Sequence, residues 1–198
     1  MTTYYKTIND WKSCHGGSFD WTAYLPKGKR PGKWTPSVDS PVACQRGYHA
    51  CTAEQLFGWL HGANAIFEIE YRTEPTDHDD KVVGSSCRLV RRIEHGERIG
   101  EVGFCDGEME RIDSGLWIVT GNSVIKWADG NSVIERADGN SVIKWATGNS
   151  VIKWADGNSV IKRADGNSVI ERADGNSVIE WATGNSVIER ADGNSVIK

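Results

Sequence analysis

The chain lacks a basic surplus. Lys and Arg together number 23 against 27 Asp and Glu, a formal net charge of −4 over 198 residues. A protein that neutralises duplex phosphates carries the opposite balance, so double-stranded nucleic acid is not an expected partner. A strong acidic excess is missing too. Residues 121–198 hold six Asp, four Glu, five Lys and four Arg, too even a mixture to imitate DNA. No stretch approaches the roughly 18 apolar residues that a membrane-spanning helix needs. The start, MTTYYKTINDWKSC, has no basic segment leading into an apolar run, so no secretory signal is expected. The five cysteines (Cys14, Cys44, Cys51, Cys87 and Cys105) are odd in number, and all precede residue 121. Without a secretion signal they read as reduced thiols, and the expected compartment is the cytoplasm.

What the chain has in quantity is repetition. The unit Gly-Asn-Ser-Val-Ile-(Lys/Glu)-(Trp/Arg)-Ala-(Asp/Thr) begins at Gly121 and recurs every nine residues to Gly184, with a last partial copy from Gly193 to Lys198. Fixed-period self-similarity predicts a stacked array. Asp-Gly-Asn is turn chemistry and Ser-Val-Ile is a short β-branched strand. A helix would carry a glycine every two and a half turns, each costing about 1 kcal/mol relative to Ala. The expected fold is therefore a β-solenoid.

Two coil lengths compete. A 27-residue coil would stack Trp127, Trp154 and Trp181 in one column and Arg136, Arg163 and Arg190 in another. An 18-residue coil mixes these columns. Geometry favours the shorter coil. A triangle with sides of roughly 20–25 Å needs large inward residues. The inward candidates here are Ser, Ile and Ala, which fit two sheets about 10 Å apart. Lys/Glu and Trp/Arg then point outward and Asn forms ladders at the turns. One flank carries Trp127, Trp145, Arg163 and Trp181, and the other Arg136, Trp154, Arg172 and Arg190. These columns either shield the solenoid edge or, by stacking and cation–π contact, form a flat surface for a partner, a glycan or a single strand. Regular threonine rows, as an ice-binding face would want, are absent: the repeat has only Thr147 and Thr183.

Residues 112–120, IDSGLWIVT, read as a worn first copy, with Leu116 at the Ile position and Thr120 at the Asp/Thr position. This sets the expected domains at 1–111 and 112–198. The last copy carries no polar cap. An uncapped solenoid end invites pairing, so a homodimer is expected, formed through Val196 and Ile197 by a two-fold contact.

The first 111 residues read as α+β. Tyr4–Ile8 is a short strand, 15–41 is turn-rich, and Thr52 with Gln55 forms a capping box ahead of a helix over AEQLFGWLHG. Ala65–Tyr71 alternates as a half-buried strand, and Lys81–Ile93 reads as another, broken at Gly84. Candidate chemistry clusters at Cys14-His15 and at Cys44-Gln-Arg-Gly-Tyr-His49-Ala-Cys51. Cys14, Cys44, His49 and Cys51 are the metal candidates, although their spacing is unlike a CxxC pair. Cys51 or Cys14 with His49 would be a nucleophile pair. Asp77-His78-Asp79-Asp80 is a cation candidate or a solvated turn. No cofactor is expected.

The order HGG…W…GYHAC…L..WL…I.E.EY…DKVV…LVR over roughly 14–93 resembles an uncharacterised N-terminal domain of phage and actinobacterial proteins, sometimes followed by repetitive tails. The tail resembles nonapeptide β-solenoids of the same groups. The resemblance implies a phage setting and no particular reaction. A second likeness is to ADP-ribosyltransferase-type domains. There a G-[YF]-H step precedes a helix and an acidic residue stands on a later strand, here His49 with Glu68 or Glu70. The NAD-cradling arginine and the Ser-Thr-Ser motif of such domains are missing. The expectation is a binding and assembly protein. Its N-terminal domain would recognise a protein target, such as a host protein, and its solenoid would pair two copies. An enzyme with a pocket at Tyr48, His49 and Glu68 or Glu70, or a filament-forming protein, are the alternatives.

Overall fold

The computed structural model of the chain describes residues 2–14, 17–60 and 63–198, with only the backbone of Phe57 and Asp113. It forms two compact units, Met1–Ile93 and Glu94–Lys198. Among the described residues no helix is long and apolar enough to cross a membrane.

The first unit is built almost wholly of strands. These are β1 (Tyr4–Asn9), β2 (Lys12–Ser13), β3 (Tyr48–Ala50), β4 (Ala65–Tyr71), β5 (Thr76–His78), β6 (Lys81–Gly84) and β7 (Cys87–Arg92). One antiparallel sheet has the order β2-β1-β4-β7 and a second has β3-β6-β5. Mutual hydrogen bonds between Tyr5 and Cys51 carry the chain from β1 to the end of β3. Alternation places Ala65, Phe67 and Ile69 on one face of β4, where they join Ile8, Trp21 and Leu89 in the core. The break expected at Gly84 is present, between β6 and β7.

The α+β expectation is corrected here. The capping box forms: Thr52 N–H donates to Gln55 Oε1 at 3.0 Å, and Gln55 N–H donates to Thr52 Oγ1 at 3.4 Å. Only a 3-10 turn, Leu56–Trp59, follows it. Gly58 weakens a helix at its centre. The neighbouring side chains are also committed elsewhere. Gln55 Nε2 donates to the carbonyl of His78, and Trp59 Nε1 donates to that of Asp80 at 2.6 Å. The segment is tied to the β5–β6 hairpin instead of coiling further. Gly62, the expected helix end, lies outside the described residues.

The second unit is a β-solenoid of about five turns that begins at Val102. Its strands are β8 (Arg98–Ile99), β9 (Val102–Cys105), β10 (Glu108–Val119), β11 (Val124–Ala137), β12 (Val142–Ala146), β13 (Val151–Ala155), β14 (Val160–Ala164), β15 (Val169–Ala173), β16 (Val178–Ile179), β17 (Val187–Ala191) and β18 (Val196–Ile197). Pairing is parallel with an 18-residue offset: Ile125 lies over Ile143, Ile143 over Ile161, and Ile134 over Ile152. Two nine-residue copies therefore make one coil. β11 turns the corner between the two sides, which continue as β12-β14-β16-β18 and β13-β15-β17.

The inward set is Ser, Ile and Ala. Ile125 to Ile179 and Ala128 to Ala173 are buried in one continuous core, with Ser123 to Ser177 also buried. Every repeat glycine takes the left-handed conformation, with φ between 62° and 70°. The residue at the Asp position caps the turn, as when Asp156 Oδ1 accepts from Gly157 N–H at 2.6 Å. Asn side chains form two ladders, one running from Asn194 through Asn176, Asn158 and Asn140 to Asn122, and the other from Asn185 to Asn131. Successive glycines stack closely. A Cβ on Gly157 would lie 2.8 Å from the Gly139 carbonyl oxygen, whereas one on Gly121 would meet nothing within 4 Å. Both alanine variants carry the left-handed penalty of about 1–2 kcal/mol. Gly157→Ala adds an overpacking term, so it should cost at least about 1 kcal/mol more than Gly121→Ala in urea unfolding. Equal losses would mean that the coils do not stack this closely.

The worn start is longer than the one read from 112–120. β9 pairs with residues 116–119 of β10, and the hairpin of β8 with β9 runs antiparallel along the first strand. Thr120 does occupy the Asp position, because Ser123 Oγ donates to its carbonyl as the later serines do to aspartate. Leu116 does not take the Ile position. A bulge between Trp117 and Ile118 sets Leu116 against Val133 and Trp117 against Ile134.

Candidate functional site

In the first unit a cavity of about 530 Å³ lies against β1 and β3. Sequence-predicted residues line it: Cys14, Cys44, Tyr48, His49 and Cys51. Lys6 and Lys81 line it as well, and no Asp or Glu does so among the described residues.

His49 is half-buried, and its Nε2 accepts from the Cys44 backbone N–H at 2.9 Å. Burial, then the charges of Lys6 and Lys81, hold its proton affinity below the ordinary histidine range. The ring is thus neutral with the proton on Nδ1. Its bond steadies Cys44, which sits at φ 61°, a left-handed conformation that a cysteine adopts only when held. The expected partners of His49 are elsewhere. Glu68 and Glu70 alternate with the core residues of β4, so they fall on its other face. Each is engaged by an arginine at 2.6 Å, Glu68 by Arg91 and Glu70 by Arg88. Among the described residues the structure therefore brings no carboxylate to line this cavity with His49.

The thiols do not converge on a metal position. Cys14 Sγ donates to the Thr7 carbonyl at 3.2 Å and Cys51 Sγ to the Tyr5 carbonyl at 3.4 Å. Among the described residues, no three His, Cys, Asp or Glu side chains are grouped to hold a metal ion. His15 lies outside the described residues. The Asp77–Asp80 run forms the end of β5 and the turn into β6, where Asp80 pairs with Lys81 at 2.6 Å. Burial pushes the Cys51 and Cys87 thiols up to about 12. Iodoacetamide at about pH 8 attacks thiolates. It should label exposed Cys44 first and leave Cys51, Cys87 and Cys105 intact until the chain is unfolded, as read by peptide mass. Early labelling of Cys51 would contradict this packing.

Lys6 was not singled out by sequence reasoning, although a signal was there. In the strand YYKTIN, Lys6 shares a face with Tyr4 and Ile8, and it is paired with Phe67. It is only 9% exposed. Burial pulls its proton affinity down, while Cys14, Cys87 and Cys51 oppose this. Its ammonium lies 5.9 Å from the centre of the Trp21 ring. Lys81, by contrast, is supplied by Asp80 and lies 4.8 Å from the Trp59 ring.

On the solenoid, the two columns are as expected for an 18-residue coil: Trp127, Trp145 and Arg163 on one side, Arg136, Trp154, Arg172 and Arg190 on the other. The Trp127 and Trp145 rings are 3.7 Å apart between centres. The arginines reach turn aspartates: Arg136 contacts Asp138 and Asp156 at 3.3 and 2.8 Å, and Arg163 contacts Asp165 at 2.9 Å. Each such pair cancels charge that a phosphate backbone would need. Trp145, Trp154 and Trp181 remain exposed. At β17 and β18 the apolar rungs are more exposed. Ile179 and its predecessors in the core are fully buried, but Val187, Val196 and Ile197 are 46%, 42% and 49% exposed. Compared with known proteins, the chain matches no family, no curated protein and no solved structure.

Proposed function

We propose that the chain is a binding and assembly protein, with recognition in the first unit and self-pairing through the last coil of the solenoid. The observation that carries this is an exposed apolar edge: Val187 on β17, and Val196 and Ile197 on β18, the two outer strands of the solenoid, are 46%, 42% and 49% exposed. Such edges are templates for further pairing. A second copy related by a two-fold axis would set the edge strands of the two solenoids antiparallel, Val and Ile against Val and Ile, unlike the parallel stacking within the chain. A two-fold contact closes at two copies. Pairing two recognition units raises effective concentration at a two-site target.

The binding reading is also supported in the first unit. His49 is spent on a backbone hydrogen bond, and Glu68 and Glu70 on arginines, so among the described residues the pair named by the alternative enzyme reading is not brought together. Sedimentation velocity tests the pairing. The native chain should sediment as a dimer at micromolar concentration. The double variant Val196→Asp, Ile197→Asp should sediment as a monomer with an unchanged β-type circular dichroism spectrum. A native monomer, or a variant that still pairs, would refute the proposal.

A further inference from the structure

We propose that the cavity beside β1 binds a small organic anion, a carboxylate or phosphate carried on a flat apolar body, with Lys6 as its counter-charge. This is independent of solenoid pairing.

The central observation is a cation without a counter-ion. The Lys6 side chain is only 9% exposed and borders the cavity, where among the described residues no ion pair or side-chain hydrogen bond holds its Nζ. An unpaired ammonium drawn largely out of water is costly, and a counter-ion offsets that cost. Among the described residues, the Trp21 ring offsets part of it, at 5.9 Å from the ammonium. The nearby Cys14, Cys51 and Cys87 thiols are no substitute, since burial keeps Cys51 and Cys87 protonated.

The cavity itself selects the sign of the ligand. Lys6 and Lys81 both act on His49 electrostatically, and no carboxylate among the described lining residues balances them. A metal cation or an amine would be repelled. Lys81 already has Asp80, so the unmet demand is that of Lys6.

The walls select the body of the ligand. Phe19, Trp21 and Tyr48 line the cavity in edge-to-face contact, with Phe19 4.8 Å from Trp21 and 5.2 Å from Tyr48 between ring centres. Edges and faces of fixed aromatic rings accept a flat apolar group. The volume, about 530 Å³, is that of a small-molecule site. The Lys6 side chain ends at an aromatic-lined cavity with no carboxylate among its described lining residues.

The test uses the full chain labelled with 13C-lysine, with phenyl phosphate, benzoate and neutral benzyl alcohol as probes. The Lys6 Cε signal is assigned by its loss in Lys6→Met. Either anion should shift that signal saturably, while benzyl alcohol should not. Lys6→Met should weaken anion binding at least about tenfold, as expected when a desolvated charge loses its partner. Lys29→Met, on an exposed turn, should change it less than about twofold. Tighter binding of phenyl phosphate than of benzoate assigns a phosphate head group, and the reverse assigns a carboxylate. Both support the site. No Lys6 shift at about 10 mM of either anion would overturn it, as would equal shifts with benzyl alcohol. If Lys6→Met failed to fold, the signal would be assigned from the native chain's sequential connectivities, and the three-probe comparison would still decide.

Discussion

Ile152→Ala should lower the stability of the solenoid by about 2–5 kcal/mol, and Val151→Ala, one residue earlier, by less than about 1 kcal/mol. Ile152 is fully buried between Ile134 and Ile170, in a core one side chain deep from each sheet. The space left by its deletion cannot close, because identical rungs above and below hold the spacing. Val151 points the other way and is only half-buried. Urea unfolding followed by circular dichroism measures both. Comparable losses at the two positions would mean that the inward and outward faces are misassigned, since a one-residue slip exchanges them.

Lys6→Met should stabilise the first unit by about 2 kcal/mol at neutral pH, because methionine keeps the bulk of the side chain and removes the buried charge. The pH dependence gives the prediction its sign. The folded chain holds the Lys6 proton less tightly than the unfolded chain does, where its pKa is near 10.5. The unfolded state therefore binds more protons in the window below 10.5, and native stability due to Lys6 rises with pH through it. The advantage of Lys6→Met should shrink as pH approaches 10.5. Cys51 and Cys87 act in the opposite direction above about pH 9, and because the Lys6 charge acts on both thiols the comparison is cleanest below that pH. A variant less stable than the native chain at neutral pH would show that Lys6 is satisfied within the fold. Added phenyl phosphate should narrow the gap by stabilising the native protein alone.

The solenoid was legible because repetition multiplies weak local signals. Small inward residues at Ser, Ile and Ala decided the coil length, and the 18-residue offset follows from them. The worn coils ahead of residue 112 were hidden because the Asn-Ser-Val-Ile run is gone: Phe104, Cys105 and Met109 keep only burial or register. In the first unit the strands could be read by alternation. The Thr52–Gln55 box was also read correctly, yet a cap specifies a start and not a length. What followed was decided by Gln55 and Trp59 bonding to the distant Asp79–Asp80 turn. The cavity was half legible. The cluster around Cys44–Cys51 lines it, as chemistry-bearing residues suggested. The placing of Glu68 and Glu70 depends on which face of β4 meets the core, and alternation alone leaves that face unassigned until the partner strands are known. Lys6 was overlooked because a lysine in a strand ordinarily marks the solvent face.

The solenoid carries exposed tryptophans and exposed Val and Ile on β17 and β18, and the pairing of two copies through these edge strands is the centre of the functional account. Light scattering on the native 198-residue chain after gel filtration tests it most directly. The account predicts a single species of twice the 21.9 kDa chain mass at micromolar concentration. A species of one chain mass would contradict it, and so would a ladder of growing masses, which would make the contact an open, filament-forming one.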